Sequence, residues 1–107
     1  MIAWPLLVKH PHDDHLLLLA NLQLWLAELE INPSDEMMII DSQGLSYHWR
    51  ATADGGEFML ANEPVSLAQL LDWVRTHASL NGHCCTAKMG ANTIEQVFEM
   101  MRYLEEN

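Results

Sequence analysis

Three histidines within six residues, His10, His12 and His15, with Asp13 and Asp14 between them, form the densest group of metal-ligand side chains in the chain. Imidazole with carboxylate suits zinc, nickel or copper. On extended backbone His10 and His12 would point to the same side. The spacing matches no established zinc pattern, however, and Pro11 constrains the geometry. An exposed polar turn accounts for all five residues more simply. His10, His12 and His15 therefore stand as candidate metal ligands, while folding is expected to need neither metal nor any other cofactor.

His83-Cys84-Cys85 is the second group. Redox sites usually use Cys-x-x-Cys, a spacing that lets two thiols meet without distortion. Adjacent cysteines on a strand point to opposite faces, so a bond between them needs a strained turn. The plainer expectation is that Cys84 and Cys85 pack as small hydrophobes. A cysteine nucleophile would need a nearby base, for which His83, His77 and His48 are the candidates. Unbridged thiols point to a reducing cytoplasm.

Two weaker features complete the list. Lys88-Met89-Gly90-Ala91-Asn92 joins a short strand to a helix, and free N–H groups at a helix start can hold an anion beside Lys88. One glycine is no phosphate-binding fingerprint, and a plain connection with an N-cap explains the segment better. Trp73 lies just off the apolar stripe of its helix, where a half-exposed indole would make an interface anchor. The methionines are dispersed and fall mostly on core positions, where methionine fills gaps. Trp73, Cys84, Cys85 and Lys88 are thus the candidate binding residues. No catalytic constellation is present in the sequence.

The elements that must position these residues are clearest at the end of the chain. Ser66 with Gln69 three residues on makes a capping box, and Leu67, Leu70, Leu71, Val74 and Ala78 follow at helical spacing. Asn81-Gly82 tolerates the left-handed backbone that ends helices. A strand over 83–88 follows. The last helix opens near Asn92, with Glu95 three residues later and a stripe of Ile94, Val97, Phe98, Met101 and Leu104. Two one-sided helices need a common floor, and a sheet supplies it.

Earlier in the chain, Ile2–Lys9 reads as a strand placed at a sheet edge or carrying a bulge, because Pro5 removes a ladder donor. Leu16–Ala20 reads as a second strand and Asn21–Glu30 as a helix with Leu22, Trp25, Leu26 and Leu29 at helical spacing. One helix from Asp14 to Glu30 fits the same periodicity, and the alternative stays open. Met37–Ile40, Leu45–Thr52 and Glu57–Leu60 form a meander, with Tyr47, Trp49, Phe58 and Leu60 facing in. The expected fold is α+β and two-layered. It has a mainly antiparallel sheet of five or six strands and two or three helices packed on one face. The passage through the 66–81 helix into the 83–88 strand would be a parallel crossover.

At 107 residues the chain is read as one domain, 1–107, able to bury roughly two-thirds of its unfolded surface. Five Lys and Arg stand against fifteen Asp and Glu, a net charge of −10. That charge disfavours phosphate backbones and anionic lipid, so neither nucleic acid nor membrane is expected as a partner. No signal peptide is expected, since the apolar run at Leu16–Leu29 follows acidic residues and is interrupted by polar ones.

Several segments taken together carry a resemblance. They are Ile2-Ala-Trp-Pro5, Lys9 followed by Asp13-Asp14, the Ile40-Asp-Ser-Gln-Gly44 turn, and His83-Cys-Cys-Thr-Ala-Lys-Met-Gly90. As a set they resemble a family of small gammaproteobacterial proteins of the Vibrio and Shewanella type, a domain of unknown function. The resemblance spans nearly the whole chain. It implies a bacterial cytoplasmic protein and brings no activity or site residue with it. Function is accordingly read as that of a small acidic, non-catalytic binding or protein-interaction module, with a protein partner or a second copy as its ligand. A small His/Cys-dependent enzyme or metal or redox sensor is the alternative.

Overall fold

The computed structural model describes residues 2–31, 36–82 and 90–106. Its elements run β1 (Leu6–Lys9), β2 (Leu17–Leu19), α1 (Leu22–Ile31), β3 (Met38–Ile40), β4 (Ser46–Arg50), β5 (Glu57–Leu60), α2 (Leu67–Leu80) and α3 (Ile94–Glu106). The strands form one antiparallel sheet in the order β2-β1-β3-β4-β5. The fold is α+β, with five strands and three helices among the described residues. The strand expected at 83–88, and the crossover through it, lie outside them.

Register decides which side each apolar residue serves. Leu7 pairs with Leu18 on one side and Ile40 on the other. These residues share a face, and it packs against Leu70, Val74 and Ala78 of α2 and Val97, Phe98, Met101 and Leu104 of α3. The periodic stripes of the two terminal helices therefore meet the sheet as their spacing requires. Leu71 stays half-buried at the margin of its stripe.

The alternate residues Leu6, Val8 and Ile39 point to the opposite face. That side is covered by Trp25 of α1 and by an aromatic group in which Trp25, Trp49 and Phe58 stand 5.0–5.2 Å apart between centroids. Gly56 permits this packing: its φ of 149° suits glycine, and a Cβ there would meet the Trp49 ring at 2.2 Å. Two helices thus share one face as expected, while α1 adds cover on the other.

Three local expectations need correction. β1 is interior rather than an edge strand, because Pro5 stands just before its first paired residue and costs the ladder no donor. Leu60 shares a face with Phe58 but is 63% exposed, since it closes the outer strand beyond the elements that cover the sheet. The cap of α3 is Thr93 rather than Asn92. Thr93 Oγ1 accepts from the Gln96 N–H at 3.2 Å, and Gln96 Oε1 accepts from the Asn92 N–H at 2.6 Å. The Ser66 cap of α2 forms as expected, accepting from the Gln69 N–H. Leu17–Leu19 of the four-leucine run form β2 and α1 begins only at Leu22, so the single-helix alternative falls.

Asp41 ties the β3–β4 turn together. Its side chain is fully buried, with Oδ1 accepting from the Gln43 and Leu45 N–H groups at 3.0 Å and Oδ2 from the Ala3 N–H at 3.2 Å. Three backbone donors make a buried carboxylate tolerable. The adjacent Tyr47 hydroxyl is pushed above its ordinary range, first by burial and then by the charge of Asp41 and a hydrogen bond to it. Asp41 is therefore read as a structural residue.

Candidate functional site

α1 has the sequence LQLWLAELEI, and apolar residues surround it. Successive residues of an α-helix turn by about 100°, which sets Leu22, Trp25, Leu26 and Leu29 on one flank and Leu24 and Ile31 on the other. Between the flanks, the outward line runs Gln23, Ala27, Glu30. A helix apolar on all sides is ordinarily buried. Here only Trp25 is buried. Leu22, Leu24, Leu26 and Ile31 remain 52, 46, 49 and 73% exposed. Leu22 and Leu26 share the helical spacing of Trp25, yet both are exposed. The short β2 gives α1 too narrow a floor to cover more than the Trp25 side.

The electrostatics around this helix are one-sided. Between Lys9 and Arg50 the sequence contains no Lys or Arg, whereas Asp13, Asp14, Glu28, Glu30, Asp35, Glu36 and Asp41 all fall there. The last turn of α1 carries no basic residue. Glu30 adds negative charge at the end where a helix prefers cations. The flanking cations are engaged elsewhere: Lys9 Nζ lies 5.8 Å from the centroid of the Trp73 ring, and Arg50 pairs with Glu57 across the strands.

The histidine group is dispersed rather than convergent. His10 Nε2 meets Glu28 Oε1 of α1 at 3.0 Å. His12 is exposed, in the left-handed region at φ 63°. Asp13 Oδ1 accepts from both the backbone N–H and the ring Nδ1–H of His15, at 3.0 and 3.1 Å. Asp13 is held below the usual carboxylate range, chiefly by that backbone N–H and then by the ring. Among the described residues no group of three or more His, Cys, Asp or Glu could hold a metal ion.

Chain folding does bring one unforeseen pair together. The His15 ring stands edge-on to His77 of α2, 5.9 Å between centroids. His77 is buried, and its Nδ1 accepts the Leu16 N–H at 3.0 Å, which places a neutral ring's proton on Nε2. The two histidines, with Asn81 and Glu105, line a cleft of about 600 Å³. An Asp–His pair oriented beside a second histidine has the parts of a general acid–base site.

Of the candidate binding residues, Trp73 is half-buried against the α2–α3 core beneath Lys9. Cys84, Cys85 and Lys88 lie outside the described residues. The exposed leucines of α1 went unread because periodicity reports which residues share a flank, not whether anything covers it. The absence of cations between Lys9 and Arg50 was the available signal.

The sequence profile of DUF4144, described as a protein structure with unknown function, matches residues 4–101. No curated protein matches the chain. Among solved structures it is similar to the NMR structure of a protein from Shewanella amazonensis, with a TM-score of 0.68 and 23% identity over 97% of this chain and 90% of that one. At that identity the likeness shows the fold alone. No helix among the described residues is long and apolar enough to cross a membrane.

Proposed function

The chain belongs to the DUF4144 family, and from that premise we propose that it is a small non-catalytic protein-interaction module whose docking face is α1. The observation that carries this is the exposure of Leu22, Leu24, Leu26 and Ile31 on a helix of ten residues. Single exposed leucines are unremarkable on a surface, but an apolar girdle on one short helix marks a contact surface. The cytoplasm remains the proposed location, because two adjacent cysteines suit no ordinary loop-closing bridge.

The test is affinity capture from the native host with three tagged forms: the natural chain, Leu22→Ser/Leu26→Ser, and His15→Ala. The proposal expects proteins held by the natural chain and by His15→Ala to be lost from the double variant. Identical retention by all three forms would count against it.

A second reading has its own observation, the Asp13–His15 pair beside His77 in the cleft. That geometry suits a small His-dependent enzyme or sensor. Selective loss of a bound molecule from His15→Ala would favour it.

A further inference from the structure

Taking α1 as the docking face, we propose that its occupant is a basic amphipathic segment of another protein. Such a segment lays apolar anchors against Leu22, Leu24 and Leu26 and sets Lys or Arg beside Glu30 and the carboxyl end of the helix. Three observations combine. The apolar flanks supply contact area, and the small Ala27 between them lets a partner backbone approach. The last turn of α1 carries the exposed Glu30 and no basic residue, at the end where a helix favours cations. The surrounding sequence from His10 to Trp49 contains no Lys or Arg.

A second copy fits this face poorly. Two-fold docking through α1 would bring together two helices that carry Glu28 and Glu30 and no Lys or Arg, so a second copy supplies no cation to this face. Nucleic acid fails for the same reason of sign. A cationic segment with apolar residues at helical spacing satisfies both the leucines and the charge.

Selection from a random-peptide display library tests this directly. The whole natural chain serves as bait, with Leu22→Ser/Leu26→Ser as counter-selection. Enriched peptides should carry Lys or Arg among apolar residues spaced three and four apart. They should bind the natural chain at least ~10-fold tighter than the double variant, the ratio that about 1.4 kcal/mol provides. Raising salt from about 50 to 300 mM should weaken them several-fold through screening. Glu30→Lys, a surface change that leaves the leucines intact, should weaken them as well.

Enrichment of acidic or uncharged apolar peptides, still dependent on the leucines, would overturn the basic partner and leave α1 as a docking face. Sedimentation showing that the natural chain self-associates through α1, while the double variant is monomeric, would replace the partner with a second copy. A selection in which no peptide survives the counter-selection, every enriched binder being removed by the double variant, would overturn the partner and the docking face together.

Discussion

The two faces of the sheet are built on different terms. On one, α2 and α3 bury continuous aliphatic stripes against Leu7 and Ile40. On the other, α1 buries only Trp25, with Leu29 half-buried beside it, and the surrounding residues are largely aromatic: Trp4, Tyr47, Trp49 and Phe58. A short helix is marginal by itself and takes most of its stability from the face it buries. α2 and α3 spend their apolar residues on folding. α1 carries more of them than its own packing uses, and the excess is what distinguishes a helix kept for contact from one kept for structure.

Substitutions can break or sharpen this contrast. The largest effect is expected at Trp25, where Trp25→Ala should cost about 3–5 kcal/mol in urea melts. The loss should appear first as faster amide exchange over 22–31, with α2 and α3 still protected. Uniform loss of protection across all three helices would mean that α1 is no separate unit. Trp25→Phe should cost clearly less. The Trp25 Nε1–H is buried with no hydrogen-bond partner among the described residues, and phenylalanine omits that donor while keeping a ring.

Leu70→Ala and Met101→Ala should each cost about 2–5 kcal/mol, because both side chains are fully buried between the helices and the sheet. Here exchange should quicken in α2 and α3 together. Asp41→Ala should cost about 1–3 kcal/mol or more by orphaning the N–H groups of Ala3, Gln43 and Leu45. Thermal melts of these three variants would check the ordering.

Leu24→Ser and Leu26→Ser should change stability by no more than about 0.5 kcal/mol, as exposed substitutions usually do. A cost near that of Leu70→Ala would show that the α1 leucines serve the core after all. The smallest effect belongs to Asp13. Its carboxyl is depressed in the folded state, so its contribution is complete above the ordinary value near 4 and is lost as pH falls through the depressed one. Solvent screens so exposed a group, and Asp13→Asn should flatten the acid limb of the stability curve by less than about 0.5 kcal/mol.

The legibility of these regions in sequence follows the same division. The stripes of α2 and α3 and the Ser66 cap were readable because local pattern and burial agree there, and the β4–β5 hairpin because alternation marks its strands, although Leu60 lies exposed. The start of α3 was displaced by one residue, since Asn92 and Thr93 are both good caps and only the Gln96 bonds choose between them. Pro5 misled because a proline one residue before a strand reads like one within it. The exposed flank of α1 could not be seen, because helical spacing is blind to whether the facing surface exists. The meeting of His15 with His77 is a contact across 62 positions, fixed by the bond from the Leu16 N–H to His77, and no local motif encodes it.

The most direct test of the central claim compares two leucines of similar exposure, Leu24 on α1 and Leu80 at the end of α2. A photo-crosslinking amino acid would be placed at each position in turn, and living cells of the native host irradiated. The account predicts a discrete protein adduct from position 24 that position 80 does not give. It further predicts that the crosslinked segment is rich in Lys and Arg. No adduct from position 24, or the same diffuse set from both positions, would contradict it.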